Sequence, residues 1–327
     1  MIEAGKHAAP FPPRLTTSSA KASLFSVDTY FTETWAQVSD LCEDPTAFAW
    51  EHGILVLKPD AFASRRAHVI LQWLKDQRFE VAAARRIRFD RHAIRALWRY
   101  QWNMATRERK ALFDLLLTVG DSILLVVRRA LADDWPTTVA LTDAKGPAEV
   151  ASRLPHHLRT KLGGDSAVLS YLHTADEPAD VLRELGIHCD EPARGELMAA
   201  LSRRSDFRSE ARDLCDRLYK ETPAHSLDAV EVGTRLEQLA RSAPGGTKEE
   251  QFQLLSLARQ IRNRERVVVE VVRASAERCE VHFDHWDEIT ITASQIVATI
   301  PGVEPVLRTR ARDWDAIGFI DRASRPL

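Results

Sequence analysis

Ile54-Leu55-Val56-Leu57-Lys58-Pro59-Asp60 is an apolar run that stops at a proline and delivers a lysine to its end. A run of this kind predicts a buried strand, because proline can neither continue the ladder nor donate to it. A second run, Ala167-Val168-Leu169-Ser170-Tyr171-Leu172-His173, does the same with an imidazole. If both strands lie in one sheet, Lys58 and His173 meet at a shared edge. A fixed cation beside a nucleophilic nitrogen suits phosphate chemistry.

Outward from Lys58 the elements alternate. Strand 54–58 leads to a helix over about 64–77, a strand over about 79–89 and helical stretches over about 91–100 and 107–117. Strand 122–128 follows Gly120-Asp121. Then come a segment over 136–142, a polar loop, strand 167–172 and a helix over about 178–185. This order predicts an α+β domain at 53–201, a ferredoxin-like split β-α-β sheet with helices on one face.

The flanks differ in character. Residues 1–24, with Ala-Ala-Pro-Phe-Pro-Pro and Thr-Thr-Ser-Ser-Ala, offer little to bury and predict a flexible arm. Residues 25–52 form a helical lead-in, where Phe31, Trp35, Val38 and Leu41 recur at helical spacing. Residues 202–327 predict a mainly α-helical domain with helices over 203–219, 227–241 and 248–262, broken at Thr222-Pro223 and Ala243-Pro-Gly-Gly246. The β-branched run Val267–Val272 falls within a stretch, 264–279, that also fits a helix and is read as one. Short strands are expected at 280–283 and 288–292, and an irregular or short helical tail from Asp313. No recognisable chemistry marks this extension, and its partner is unknown.

Composition narrows the function classes. The chain is 45% hydrophobic and 28% charged, the profile of a globular protein. Lys and Arg number 45 against 47 Asp and Glu, so a generally basic surface for nucleic acid is not expected, while a local basic pocket stays open. Cys42, Cys189, Cys215 and Cys279 form no C-x-x-C pair, which fits reduced thiols rather than zinc or a disulfide framework. No apolar run approaches the roughly 20 residues of a membrane span, and the first residues lack a signal-peptide core, so no membrane partner and a cytoplasmic location are expected.

The segment resembles nucleoside diphosphate kinases. Leu57-Lys58-Pro59-Asp60 matches the family's first strand end. Leu158-Arg159-Thr160-Lys161-Leu162-Gly163-Gly164 leads into Ser170-Tyr171-Leu172-His173-Thr174-Ala175-Asp176, and Glu184 follows on the next helix, in the family's order. The resemblance implies a phosphotransferase in which His173 takes the γ-phosphoryl group of a nucleoside triphosphate and passes it to a nucleoside diphosphate or related acceptor. It implies Glu184 as the carboxylate that orients His173, Lys58 and Arg159 as phosphate cations, and Tyr100, Ser170 and Lys145 as nucleotide contacts. It also implies Mg²⁺ with the nucleotide, near Asp176, and a homo-oligomer.

Elementary chemistry supports these roles. A neutral imidazole offers a lone pair to phosphorus near neutral pH, and a carboxylate on its other nitrogen fixes the tautomer. The departures are equally definite. The family asparagine before the histidine is Ser170, the Gly-Ser after it is Thr174-Ala175, an arginine position is about Thr138, and the base-stacking phenylalanine falls near Arg109. Two readings stay open: retained phosphoryl transfer, or a catalytically weak or inactive nucleotide-binding module on the same fold. His282-Phe283-Asp284-His285-Trp286-Asp287-Glu288 suggests metal ligands, but a solvated polar loop is the plainer reading.

Overall fold

The computed structural model describes residues 11–129, 135–164, 166–308 and 311–314. In chain order the elements are α1 (Ser19–Phe25), α2 (Thr29–Leu41), α3 (Pro45–Glu51), β1 (His52–Leu57), α4 (Pro59–Ala63), α5 (Ala67–Asp76), β2 (Phe79–Ile87), α6 (Arg91–Leu97) and α7 (Arg107–Thr118). These are followed by β3 (Ser122–Arg129), α8 (Thr137–Lys145), α9 (Leu158–Leu162), β4 (Leu172–Thr174), α10 (Pro178–His188) and α11 (Glu191–Ser202). The mainly helical remainder is α12 (Arg208–Glu221), α13 (Ala229–Arg241), α14 (Lys248–Arg262), α15 (Val269–Arg278) and α16 (His285–Gln295). No helix among the described residues is long and apolar enough to cross a membrane.

The strands form one antiparallel sheet in the order β2-β3-β1-β4. Every residue of β1 is buried, which explains why its sequence reads as a continuous apolar run rather than an alternation. Ile54 and Val56 face one core with Phe31, Leu116, Leu182 and Leu185, while Leu55 and Leu57 face another with Ile70, Leu74 and Leu141. The sheet is therefore covered on both faces, not one. Its second face also takes Ala211, Cys215 and Leu218 of α12, so the apolar cores do not divide at residue 202. A third core joins Val232, Leu236, Leu254, Ala258 and Val272 of the extension.

Other differences have local causes. The expected arm is docked from Leu15 onward: Leu15 is 0% exposed and α1 forms behind the Ser18 cap, because Leu15 and Phe25 find apolar neighbours beyond their own segment. Residues 1–10 of that expectation lie outside the described residues. The strand expected at 167–172 is β4 at Leu172–Thr174 instead, since Tyr171 sits at φ 65° and Asp60 Oδ2 accepts its N–H at 2.9 Å. A left-handed residue breaks the extended path. The strands expected at 280–283 and 288–292 are absent among the described residues, and the second is part of α16. There Asp284 accepts hydrogen bonds from the N–H groups of Trp286 and Asp287, and a capping box wins over local β propensity. The Val267–Val272 run enters α15. Of the tail expected from Asp313, residues 315–327 lie outside the described residues.

The helix that carries Glu184 is held close to α2. A Cβ on Gly186 would stand 2.5 Å from Tyr30 O and 2.6 Å from Thr34 Oγ1. Overpacking of this kind costs about 1–3 kcal/mol, more than the roughly 1 kcal/mol that alanine gains over glycine in a helix. Gly186→Ala is expected to lower the thermal midpoint of the chain, and an unchanged or raised midpoint would show that the two helices are not in tight contact.

Candidate active site

His173 is placed by pairing. In the β1–β4 ladder it stands opposite Val56, and Leu172 opposite Leu57. The entry to β4 is fastened by the Lys-Pro-Asp segment: Lys58 N donates to Tyr171 O at 2.9 Å, and Lys58 Nζ to Val168 O at 3.0 Å while lying 3.3 Å from Asp60 Oδ2. Lys58 is 2% exposed and Asp60 0%. One lysine thus both anchors the loop before His173 and contributes positive charge near it.

Glu184 rises from α10, which opens with Pro178 and a capping box between Glu177 and Asp180. His173 Nε2 is 3.0 Å from each Glu184 carboxyl oxygen. With Nε2–H donating to Glu184, the lone pair lies on Nδ1. Burial holds the imidazole well below its usual range, to about 3, helped by the charges of Lys145, Arg159 and Lys58. Burial, with Asp176 nearby, raises Glu184 to about 8. The low-polarity surroundings disfavour charge on either partner until something neutralises it. The ring of Trp98 meets His173 edge-on with centroids 5.3 Å apart.

The surroundings carry buried cations held largely by neutral acceptors. Lys145, at the end of α8, donates to Thr174 Oγ1 at 2.5 Å, and burial, with Arg159, brings it down to about 7. Arg159 donates to Gly146 O at 2.8 Å and Leu172 O at 3.2 Å, and burial, with Arg153, brings it down to about 10. Its Nε and the Nε of Arg109 are buried with no hydrogen-bond partner among the described residues. Burial lowers Arg109 as well, and its charge in turn lowers Lys58. Buried cations without full counter-charge are costly and are relieved by an incoming anion.

These groups adjoin a cavity of about 180 Å³ whose wall includes His173, Glu184, Lys145, Asp176, Tyr100 and Trp98. Among the residues expected from sequence, Lys58, Arg159 and Ser170 do not line it; the two cations act on His173 from behind, and Ser170 is buried in the turn before β4. Tyr100 reaches the wall, but its hydroxyl is 3.3 Å from Asp28 Oδ2, which also binds Arg183 Nε at 2.9 Å. Thr138, at an arginine position of the resemblance, donates to Ala175 O at 2.5 Å. Sequence reading missed Trp98, Lys21, Asp180 and Arg183 on the wall. The Glu-Pro-x-Asp start of α10 was a visible capping signal for Asp180; nothing local marked Lys21.

For Mg²⁺ the donor set is sparse but adequate. Asp176 lines the cavity, as do Asp180 and Glu184. Mg²⁺ commonly takes one or two carboxylates together with phosphate oxygens and water, and Asp176 could hold it in that way. Elsewhere, His225, Asp284 and Asp287 converge, with His225 Nε2 2.9 Å from Asp287 Oδ1. Arg235 already occupies Asp287, and both aspartates cap α16, while His282, 77% exposed, lies 3.6 Å from Asp284 Oδ2 and His285, 70% exposed, lies 3.8 Å from Glu288 Oε2.

The family model for nucleoside diphosphate kinase matches residues 51–192. No curated protein matches the chain. Among solved structures, the chain is similar to the nucleoside diphosphate kinase of Aquifex aeolicus, with 17% identity over 44% of this chain and 97% of that one, at a TM-score of 0.36. The NDP kinase of Pyrobaculum aerophilum is 18% identical over 44% of this chain and 97% of its own, at a TM-score of 0.37. The nucleoside diphosphate kinase of Encephalitozoon cuniculi is 16% identical over 44% and 91%, also at 0.37.

Proposed function

We propose, from the match of residues 51–192 to the nucleoside diphosphate kinase family model, that the chain moves a phosphoryl group from a nucleoside triphosphate, through His173, to a nucleoside diphosphate or a related acceptor. The observation that carries this reading is the His173–Glu184 contact of 3.0 Å set among buried, under-compensated cations. The Nδ1 lone pair attacks the γ-phosphorus, forming an N–P bond as the bond to the bridging oxygen breaks and its electron pair leaves with the diphosphate. The imidazolium character that develops is balanced by the Glu184 carboxylate. In the return step an acceptor phosphate oxygen attacks phosphorus and the N–P electrons go back to the ring. Lys145 and the field of Lys58 and Arg159 stabilise phosphoryl charge, a contribution typically of several kcal/mol when such groups are preorganised. Mg²⁺, when bound with the nucleotide, supplies further charge neutralisation, with Asp176 as its protein ligand.

The test is incubation with γ-labelled ATP and Mg²⁺, followed by a chase with nucleoside diphosphate. Acid-labile, base-stable label on the chain that moves to the diphosphate is the expected result. Label that never forms would overturn transfer and leave the second reading, a weak or inactive nucleotide-binding module. One observation favours that alternative: the cavity, at about 180 Å³, is smaller than the roughly 300–1,000 Å³ of ordinary ligand sites.

Lys145 gives the site a pH signature. Held at about 7 by burial, and by Arg159, it loses its charge as pH rises through neutrality, and anion affinity falls with it. A charge-assisted contact is worth about 1.5–3 kcal/mol. Lys145→Met is thus expected to weaken binding of a non-hydrolysable ATP analogue by roughly tenfold or more at pH 6 and much less at pH 8.5. Equal losses at both pH values would remove Lys145 from the site. The wild-type profile alone does not isolate it, because Asp180 and Glu184 also titrate near there, at about 7 and about 8.

A further inference from the structure

The His173 cavity is covered by a segment that the family domain does not include. Lys21 and Phe25 of α1 form part of the wall, and Leu307 completes it from the other end of the chain. Lys21, 3% exposed, reaches Asp180 at 2.6 Å and Glu177 at 2.8 Å. Glu177, 1% exposed, also accepts hydrogen bonds from Thr16 Oγ1 at 2.6 Å, Thr17 Oγ1 at 3.1 Å and Trp314 Nε1 at 3.1 Å. Ala179 N donates to Leu15 O at 2.9 Å, and the Phe25 ring packs 5.7 Å from that of Tyr100. These contacts converge on the first turn of α10, the helix whose next turn carries Glu184.

Size decides what the covered site admits. At about 180 Å³, the space beside His173 with α1 docked is smaller than the roughly 300–1,000 Å³ of ordinary ligand sites, closer to the size of a phosphoryl group than of a whole nucleotide. The cover is also of a kind that can leave. A helix of 7 residues has no stability of its own in water and stays folded only while docked. Its fastening joins these polar contacts to the burial of Leu15 and Phe25 in the core. Lifting this one segment exposes less surface than unfolding the chain, so it costs a fraction of the global unfolding free energy.

We infer that α1 is a docked gate: nucleotide enters the His173 site when Leu15–Phe25 lifts away, and Lys21 on Glu177 and Asp180 is its latch. The inference rests on the His173 cavity being the nucleotide site. It assigns the segment 15–25 a regulatory role, because whatever frees Lys21 raises the fraction of chains able to bind.

The experiment uses the full chain, with Mg²⁺ and a non-hydrolysable ATP analogue as probe, and compares wild type with Lys21→Ala and the milder Thr17→Ala after circular dichroism shows each folded. Apparent affinity falls in proportion to the open fraction. If about one wild-type chain in ten or fewer is open, Lys21→Ala binds on the order of tenfold tighter or more, with Thr17→Ala between. Equal affinity in all three overturns the gate. Hydrogen exchange on wild type supplies the independent readout: saturating analogue is expected to speed exchange of the amides of 19–25, and unchanged or slowed exchange with the analogue bound overturns the gate even if both variants misfold. Label from γ-labelled ATP is read separately. Tighter binding in Lys21→Ala without label keeps the gate and removes phosphoryl transfer, whereas equal affinity with His173-dependent label does the reverse. Absence of nucleotide binding in every form overturns the gate together with its premise.

Discussion

His173→Ala is expected to abolish transfer of label from γ-labelled ATP, by roughly 10³-fold or more, while leaving affinity for the non-hydrolysable analogue within about threefold. The asymmetry follows from what the side chain touches. In the proposed transfer Nδ1 forms the bond, while the other ring nitrogen is held by Glu184. The cations proposed to attract the phosphate, Lys145 with the field of Lys58 and Arg159, sit on other elements and remain. Removing the imidazole leaves a void beside Trp98, but His173 is partly exposed, with 18% of its side-chain surface accessible, so the cost to the fold is expected to be small. Retained label in His173→Ala would move the nucleophile elsewhere. Loss of binding along with label would mean that the substitution had disturbed the pocket rather than the chemistry.

Glu184→Gln is expected to slow phosphoenzyme formation by about 10²-fold or more, within the range usual for a positioned proton-handling group. Shape is nearly unchanged, so two electronic effects act alone. The carboxyl group 3.0 Å from Nε2 can ionise against the charge of phosphohistidine, and an amide cannot. The amide can also donate to Nε2, which moves the imidazole proton to Nδ1 and removes the lone pair that attacks phosphorus. Analogue binding should stay constant, because Glu184, raised to about 8 by burial, carries little charge near neutral pH. A slowing of less than threefold, with the fold intact, would mean that Glu184 neither orients nor balances the ring.

The two predictions draw on different layers of information. Four strands in alternation with helices, the Lys-Pro-Asp strand end and a histidine followed by a carboxylate on the next helix were legible because each is a local pattern: an apolar run bounded by proline, or a fixed spacing along a helix. The joining of β1 to β4, with Val56 opposite His173, is a contact between distant segments and not a local pattern. Two local patterns misled, one through a distant group and one through a nearer one. Asp60 holds Tyr171 in a left-handed turn, so β4 begins later than its apolar run suggests. Asp284 and Asp287 cap a helix where β propensity predicted a strand.

Sequence by itself determined the alternation of four strands with helices and the mainly helical character of the extension, because backbone periodicity and short-range capping are local, while the relation of Glu184 to His173 was legible only through the family resemblance. Tertiary structure alone decided that both faces of the sheet are covered, that Lys58 and Arg159 stand behind the cavity rather than in it, and that Lys21 lies on its wall. The reason is physical: Lys21 and Asp180 are 159 residues apart, and an exposed-looking lysine in a Ser- and Ala-rich stretch becomes a buried latch only when the folded chain brings two carboxylates to it.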